Sequence, residues 1–175
     1  MLINLSDVLT LEGKTAEYTV PIELESFKSK LGDFAVTDKT PIAFTFANIG
    51  TGKAEMEGRA KISFAAECDR CLTQTPVDLE LSFERIVISP DVQTEDEEES
   101  DSRQFMEDFQ LDTEAFMYQE ILENWPMKIL CREDCKGVCP VCGQNRNMKE
   151  CGCDTFVPDP RMAVIGDIFN ANKEV

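Results

Sequence analysis

A chain of 175 residues can bury one substantial core but has little room for two ordinary domains. Its 34 acidic residues against 17 basic ones give a formal charge of -17, while 42% of residues are hydrophobic and 11 are Phe, so the composition is that of a folded, strongly acidic protein. Histidine is absent, which excludes Ser-His-Asp and Cys-His catalytic pairs and every imidazole metal site, and the negative charge disfavours broad nucleic-acid coating and favours cationic partners.

The start, Met-Leu-Ile-Asn-Leu-Ser-Asp, has neither the basic nor the apolar region of a signal peptide, and no window approaches about 18 uninterrupted apolar residues. A cytoplasmic location without a membrane partner is expected. In that reducing compartment the eight cysteines are read as metal ligands before disulfides.

From Met1 to Ser89 the texture is that of strands. Glu17–Leu24, Ile42–Ile49, Ala54–Ala66 and Val77–Ile88 are rich in β-branched or aromatic residues. In Val77-Asp78-Leu79-Glu80-Leu81-Ser82-Phe83-Glu84 every second residue is apolar, which predicts an antiparallel strand with one wet face and one packed face. Gly50-Thr51-Gly52 predicts a hairpin turn, because glycine reaches positive φ without steric cost. Ser26–Thr40 reads as a connection with a short helical turn. Residues 91–101 carry seven acidic residues and no basic one, the pattern of a solvated loop or of a lure for a basic partner.

Asp112 is the predicted N-cap of a helix over 112–125, with Phe116, Met117, Ile121, Leu122 and Trp125 on one stripe and Pro126 as its stop. Trp125 is expected to seal that helix onto the sheet. Asp159-Pro160 reads as cap and first-turn proline of a short closing helix over Arg161–Phe169. The fold class is α+β. A β-rich antiparallel domain over 1–126, holding the acidic loop and the longer helix, precedes a cysteine-rich, knuckle- or ribbon-like zinc module over 127–175.

The cysteines fall in four pairs: Cys68-x2-Cys71, Cys131-x3-Cys135, Cys139-x2-Cys142 and Cys151-x-Cys153. Tetrahedral Zn²⁺ takes four thiolates, and a C-x2-C turn aims two sulfurs and its own amides at one metal, so eight cysteines fit two four-cysteine sites. In Cys139-Pro140-Val141-Cys142-Gly143 the glycine suits the turn that follows the second ligand of a zinc knuckle. Cys151 and Cys153 are the nearest remaining pair and are assigned with Cys139 and Cys142 to one Zn²⁺. Cys68, Cys71, Cys131 and Cys135 form the other, tying segments about 60 residues apart. The alternative in which Cys131, Cys135, Cys139 and Cys142 share one metal stays open. All-sulfur coordination points to structural metal, since catalytic zinc keeps a position for water. Lys128 to Arg161 holds six basic and five acidic residues, which either offset the thiolate charge or form a contact surface.

At these residues the chain resembles the YceD family, the large ribosomal RNA subunit accumulation proteins of bacteria and plastids. The resemblance is carried by Cys68-Asp69-Arg70-Cys71-Leu72, the acidic gap, the helix ending in Trp125-Pro126 before Cys131, and Cys135-Lys136-Gly137-Val138-Cys139-Pro140-Val141-Cys142-Gly143-Gln144-Asn145 with Asp159-Pro160-Arg161. It covers about Ala54 to Phe169. Val138 and Arg146 stand where leucine is expected, and neither is a predicted ligand. The resemblance implies a cytoplasmic factor for large-subunit rRNA accumulation and 50S ribosome biogenesis, without an enzymatic reaction or small-molecule substrate. Family genes commonly neighbour that of a large-subunit ribosomal protein, so a basic ribosomal protein or a pre-50S particle is the expected partner, with direct rRNA contact as a further possibility. Arg70, Lys136, Arg146 and Lys149 are the expected contacts. Two other readings are a thiol-disulfide oxidoreductase using Cys68 and Cys71, and a zinc-dependent RNA-binding module.

Overall fold

The computed structural model describes residues 1–50, 52–92 and 102–154. The described residues divide into two compact units, one within Met1–Glu67 and Gln74–Ile129, the other within Cys68–Thr73 and residues 130–154.

The first unit is built on an antiparallel sheet of six strands: β2 (Thr15–Val20), β3 (Ser26–Ser29), β4 (Gly32–Lys39), β5 (Ile42–Gly50), β6 (Lys53–Glu67) and β7 (Gln74–Ile88). The order is β2-β5-β6-β4-β3, and β7 also pairs with β6. β6 organises the sheet. It pairs with β7 along its whole length from Lys53↔Ile88 to Glu67↔Gln74, while β5 takes its first part (Ala43↔Arg59) and β4 its later part (Val36↔Phe64). Because Arg59 pairs with both Ala43 and Ser82, β5 and β7 lie on opposite edges of β6.

The period-two pattern sets the faces. Ile42, Phe44, Phe46, Met56, Ile62, Phe64, Leu79, Leu81 and Phe83 are buried, whereas Thr45, Glu57, Arg59, Asp78, Glu80, Ser82 and Glu84 point to solvent. Gly50 (φ 95°) and Gly52 (φ 71°) take the positive φ expected where β5 meets β6; Thr51 lies outside the described residues. Ser26–Thr40 differs from its predicted helical connection. It is the β3–β4 hairpin, with Phe27↔Phe34 in register, and cross-strand pairing there overrides a pattern too mixed to reveal a strand.

A smaller sheet joins β1 (Leu2–Asn4), β9 (Gln110–Asp112) and β8 (Met106–Glu107) in that order. The short helix α1 (Ser6–Thr10) buries Val8 and Leu9. A 3₁₀ turn (Ser102–Phe105) precedes β8.

The helix α2 spans Thr113–Glu123. Asp112 caps it as predicted, its Oδ1 accepting from the amides of Glu114 at 2.9 Å and Ala115 at 3.3 Å, which satisfies two otherwise orphaned donors. Phe116 is fully buried, with ring centroids 4.7 Å from Phe83, 5.2 Å from Phe105 and 6.0 Å from Phe44. Trp125, just beyond the helix, lies 4.6 Å from Phe34, 5.1 Å from Phe27 and 5.2 Å from Phe64, so it does pack on the sheet. Among the described residues no helix is long and apolar enough to cross a membrane. Residues 93–101 of the acidic stretch and the expected closing helix over Arg161–Phe169 lie outside the described residues.

Candidate metal centres

The second unit is organised by its cysteines. Cys68–Thr73 connects β6 to β7, and its backbone closes tightly: the Leu72 amide donates to Cys68 O at 2.9 Å, and the Cys68 amide to Thr73 O at 2.9 Å. Cys139–Gln144 repeats this pattern bond for bond. There the Gly143 amide donates to Cys139 O at 2.9 Å, and the Cys139 amide to Gln144 O at 2.9 Å. The residue after the second cysteine is left-handed in both, Leu72 at φ 58° and Gly143 at φ 73°. The two C-x2-C segments are thus the same knuckle. In the first, a leucine, 62% exposed, stands in the conformation that ordinarily calls for glycine.

The sulfurs gather into two groups, Cys68, Cys71, Cys131 and Cys135, and Cys139, Cys142, Cys151 and Cys153, each with its ligand atoms within 4.8 Å of one another. This is the grouping expected from the spacing, and it differs from the alternative in which Cys131 and Cys135 join Cys139 and Cys142. In the first group Cys68 Sγ lies 3.8 Å from Cys135 Sγ, and Cys71 Sγ lies 3.5 Å from Cys131 Sγ. A tetrahedron with metal–sulfur bonds of about 2.3 Å has edges of about 3.8 Å, so the donor set and its spacing fit Zn²⁺.

The local fields differ from thiol to thiol. Burial opposes ionisation of Cys68, but the amides of Cys131, Arg70 and Cys71 aim at its sulfur and outweigh burial, pulling the thiol down to about 6. The Thr73 hydroxyl, followed by the Thr73 amide, lowers Cys71. Cys131, although exposed as a residue, is pushed up to about 12 by desolvation of its sulfur and by the sulfurs of Cys71, Cys135 and Cys68. In the second group the amides of Cys142 and Val141 bring Cys139 down to about 6, while the sulfurs of Cys142 and Cys151 raise Cys153 to about 12. Each knuckle's amides therefore favour a thiolate, and the crowding of the sulfurs opposes ionising all of them together. Cys68, Cys71, Cys135 and Cys139 are buried, whereas Cys131 and Cys142 are exposed.

Around the sulfurs stand polar residues that spacing alone did not reveal. Asn147 Nδ2 donates to Cys135 Sγ at 3.2 Å, and the Thr73 hydroxyl lies 3.2 Å from Cys71 Sγ. Gly137, at φ 73°, passes so close to the Arg70 carbonyl that a Cβ there would sit 3.0 Å from that oxygen, and the next amide, of Val138, donates to the same oxygen at 2.9 Å. Of the basic residues expected to meet a partner, Arg70 donates from Nη1 to Cys135 O at 3.0 Å. Lys136 Nζ lies 3.6 Å from Glu150 Oε1. Arg146 and Lys149 are exposed.

The chain is thus β-rich, with its thiols in two four-sulfur clusters, one on each of two matching knuckles, and each cluster could hold a metal ion. The model of the family described as large ribosomal RNA subunit accumulation protein YceD matches residues 56–169, and the chain belongs to that family. Among curated proteins it is similar to uncharacterized proteins of Mycobacterium bovis and Mycobacterium tuberculosis, 30% identical over 77 residues that make up 44% of this chain and 37% of each relative. The matched stretch is thus little more than a third of those proteins' length. No solved structure matches.

Proposed function

We propose that the protein is a non-enzymatic factor for large-subunit rRNA accumulation that acts in the cytoplasm during 50S biogenesis, holding a basic ribosomal protein or a pre-50S particle. Zn²⁺ in both cysteine clusters is structural. The observation that carries the partner assignment is the solvent face of the large sheet. Register places Glu17, Thr45, Glu57 and Glu84 in one row across four strands, with Glu55 beside them. Like charges directly opposite one another weaken a sheet. Here burial, followed by the charge of Glu84 and the contact with its carboxyl, raises the Glu55 carboxyl. A cationic surface laid on this face would relieve that repulsion. Arg146 and Lys149, with Arg70 and Lys136, are the proposed contacts of the cysteine-rich module.

The lowered Cys68 thiol would suit the thiol-disulfide alternative, but Cys68 is fully buried and therefore shielded from a disulfide substrate.

Depleting the protein tests the proposal. Large-subunit rRNA should fall relative to small-subunit rRNA, and full-length protein should restore it, while a Glu17→Gln, Glu57→Gln, Glu84→Gln triple variant should restore less and bind pre-50S particles with a shallower salt dependence. An unchanged rRNA ratio on depletion would refute the function. Full rescue by the triple variant would refute the docking face alone.

A further inference from the structure

The two clusters share a wall. The loop from Gly143 to Glu150, closed at its ends by the cysteines of the second cluster, supplies polar groups to the first. Asn147 is one. Its Nδ2 donates to Cys135 Sγ at 3.2 Å, while its Oδ1 accepts from the Lys136 amide at 2.8 Å and from Arg132 Nη2 at 2.7 Å, gripping the residues that directly follow Cys131 and Cys135. Asn145 is the other. Its Nδ2 donates to Thr73 Oγ1 at 3.2 Å, the hydroxyl that lies 3.2 Å from Cys71 Sγ. Its Oδ1 accepts from the Asn147 amide at 2.9 Å, so the two asparagines form one unit.

The backbone makes the same connection. The Arg70 carbonyl of the first knuckle accepts from Val138, the residue before Cys139, and the Arg146 amide donates to Gly137 O at 2.9 Å. Val138 and Asn145 also pair as an antiparallel bridge.

We propose that the loop 143–150 couples the two clusters: closing the second around its metal sets Asn145 and Asn147 against the first, so the two sites load with positive cooperativity. This rests on the reading of both clusters as zinc sites. Hydrogen bonds from surrounding residues orient thiolates and spread their charge, and losing one commonly weakens metal binding about 10–100-fold. With the second cluster unfilled, ordering the loop is an entropic cost charged to the first site, and filling it removes that cost. Linkage requires the effect to be mutual.

Zinc competition against a chromophoric chelator on the reduced full-length chain tests this. Wild type should bind two Zn²⁺. Asn147→Ala, which keeps all eight thiols, should weaken one of the two affinities about 10-fold or more. Asn145→Ala should act in the same direction. Cys151→Ser/Cys153→Ser, with the second cluster disabled, should leave the first weaker than in wild type, and Cys68→Ser/Cys71→Ser should weaken the second by the same factor. The asparagine variants can still refute the coupling where a cysteine variant fails to fold. If wild type binds two zinc ions and the first-cluster affinity stays within about threefold in both asparagine variants, the coupling is wrong while the zinc reading stands. If reduced wild type binds no zinc, the zinc reading fails and the coupling with it.

Discussion

Arg85→Met is expected to destabilise the first unit through one buried carboxylate. Arg85 Nη2 lies 3.0 Å from Glu120 Oε1 and 2.8 Å from Glu123 Oε2, with the Glu120 side chain only 3% exposed and that of Arg85 39% exposed. Burial holds the Glu120 carboxyl above its ordinary 4.5, Arg85 opposes the shift, and Glu123 adds to it. Removing the guanidinium leaves burial and Glu123 unopposed. Breaking a fully buried pair costs about 3–5 kcal/mol; water reaches the arginine end here, so about 2–3 kcal/mol is expected at pH 7.5. For a chain of this size that lowers the melting midpoint by roughly 5–10 °C.

The pH dependence has a definite sign. A carboxyl whose folded pKa lies above its unfolded value binds more protons when folded, so the penalty is complete above the folded pKa and fades as pH falls toward the unfolded 4.5. The gap between wild type and Arg85→Met should therefore narrow on acidification, and Glu120→Gln should recover most of the loss in the Arg85→Met background. Urea unfolding followed by the fluorescence of Trp125, the single tryptophan, measures it. A loss below about 0.5 kcal/mol, or one of equal size at pH 5 and pH 7.5, would refute the reasoning.

Leu72→Gly should leave unfolding unchanged or raise its stability by up to about 1 kcal/mol, because relief of the left-handed strain exceeds the added chain entropy; a clear loss in chemical denaturation would show that the leucine contributes packing instead. Phe116→Ala should cost about 3–5 kcal/mol in the same assay, since three rings surround a fully buried one. With Cys131 and Cys153 held near 12 in the absence of metal, Zn²⁺ binding at neutral pH should release at least one proton per site. Calorimetric heats that do not depend on buffer ionisation enthalpy would contradict this. Zinc should correspondingly be lost on acidification.

The strands from β5 to β7 were legible because residues on the two faces alternate over most of their length, and Asp112 because a cap is a local device. The four cysteine pairs were legible because ligand spacing is short-range. β3 and β4 were not. Phe27 is their one fully buried residue, and all of β4 is exposed or half-exposed, so no apolar rhythm announces them; β4 is held by pairing to β6 more than twenty residues away, and β3 by pairing to β4. The β1–β9 pairing, Ile3↔Leu111, is too distant for any local pattern to signal. The kinship of the two knuckles was hidden by Leu72, which occupies the position where Gly143 advertises the turn. Asn145 and Asn147 were missed for another reason: asparagine is ordinary in loops, and only the folded chain brings Asn147 to a sulfur.

The ligands of the two clusters also differ in how soon they can meet. Cys142 and Cys151 are nine positions apart, whereas Cys71 and Cys131 are separated by 60. Before the sheet has formed, ring closure over the longer span costs about 1.6 kcal/mol more. With zinc filling both clusters as proposed, maturation has a direction in time: the compact C-terminal ring can close while the distant one is still open, and a species carrying a single ion should appear transiently during refolding even though loading at equilibrium is cooperative.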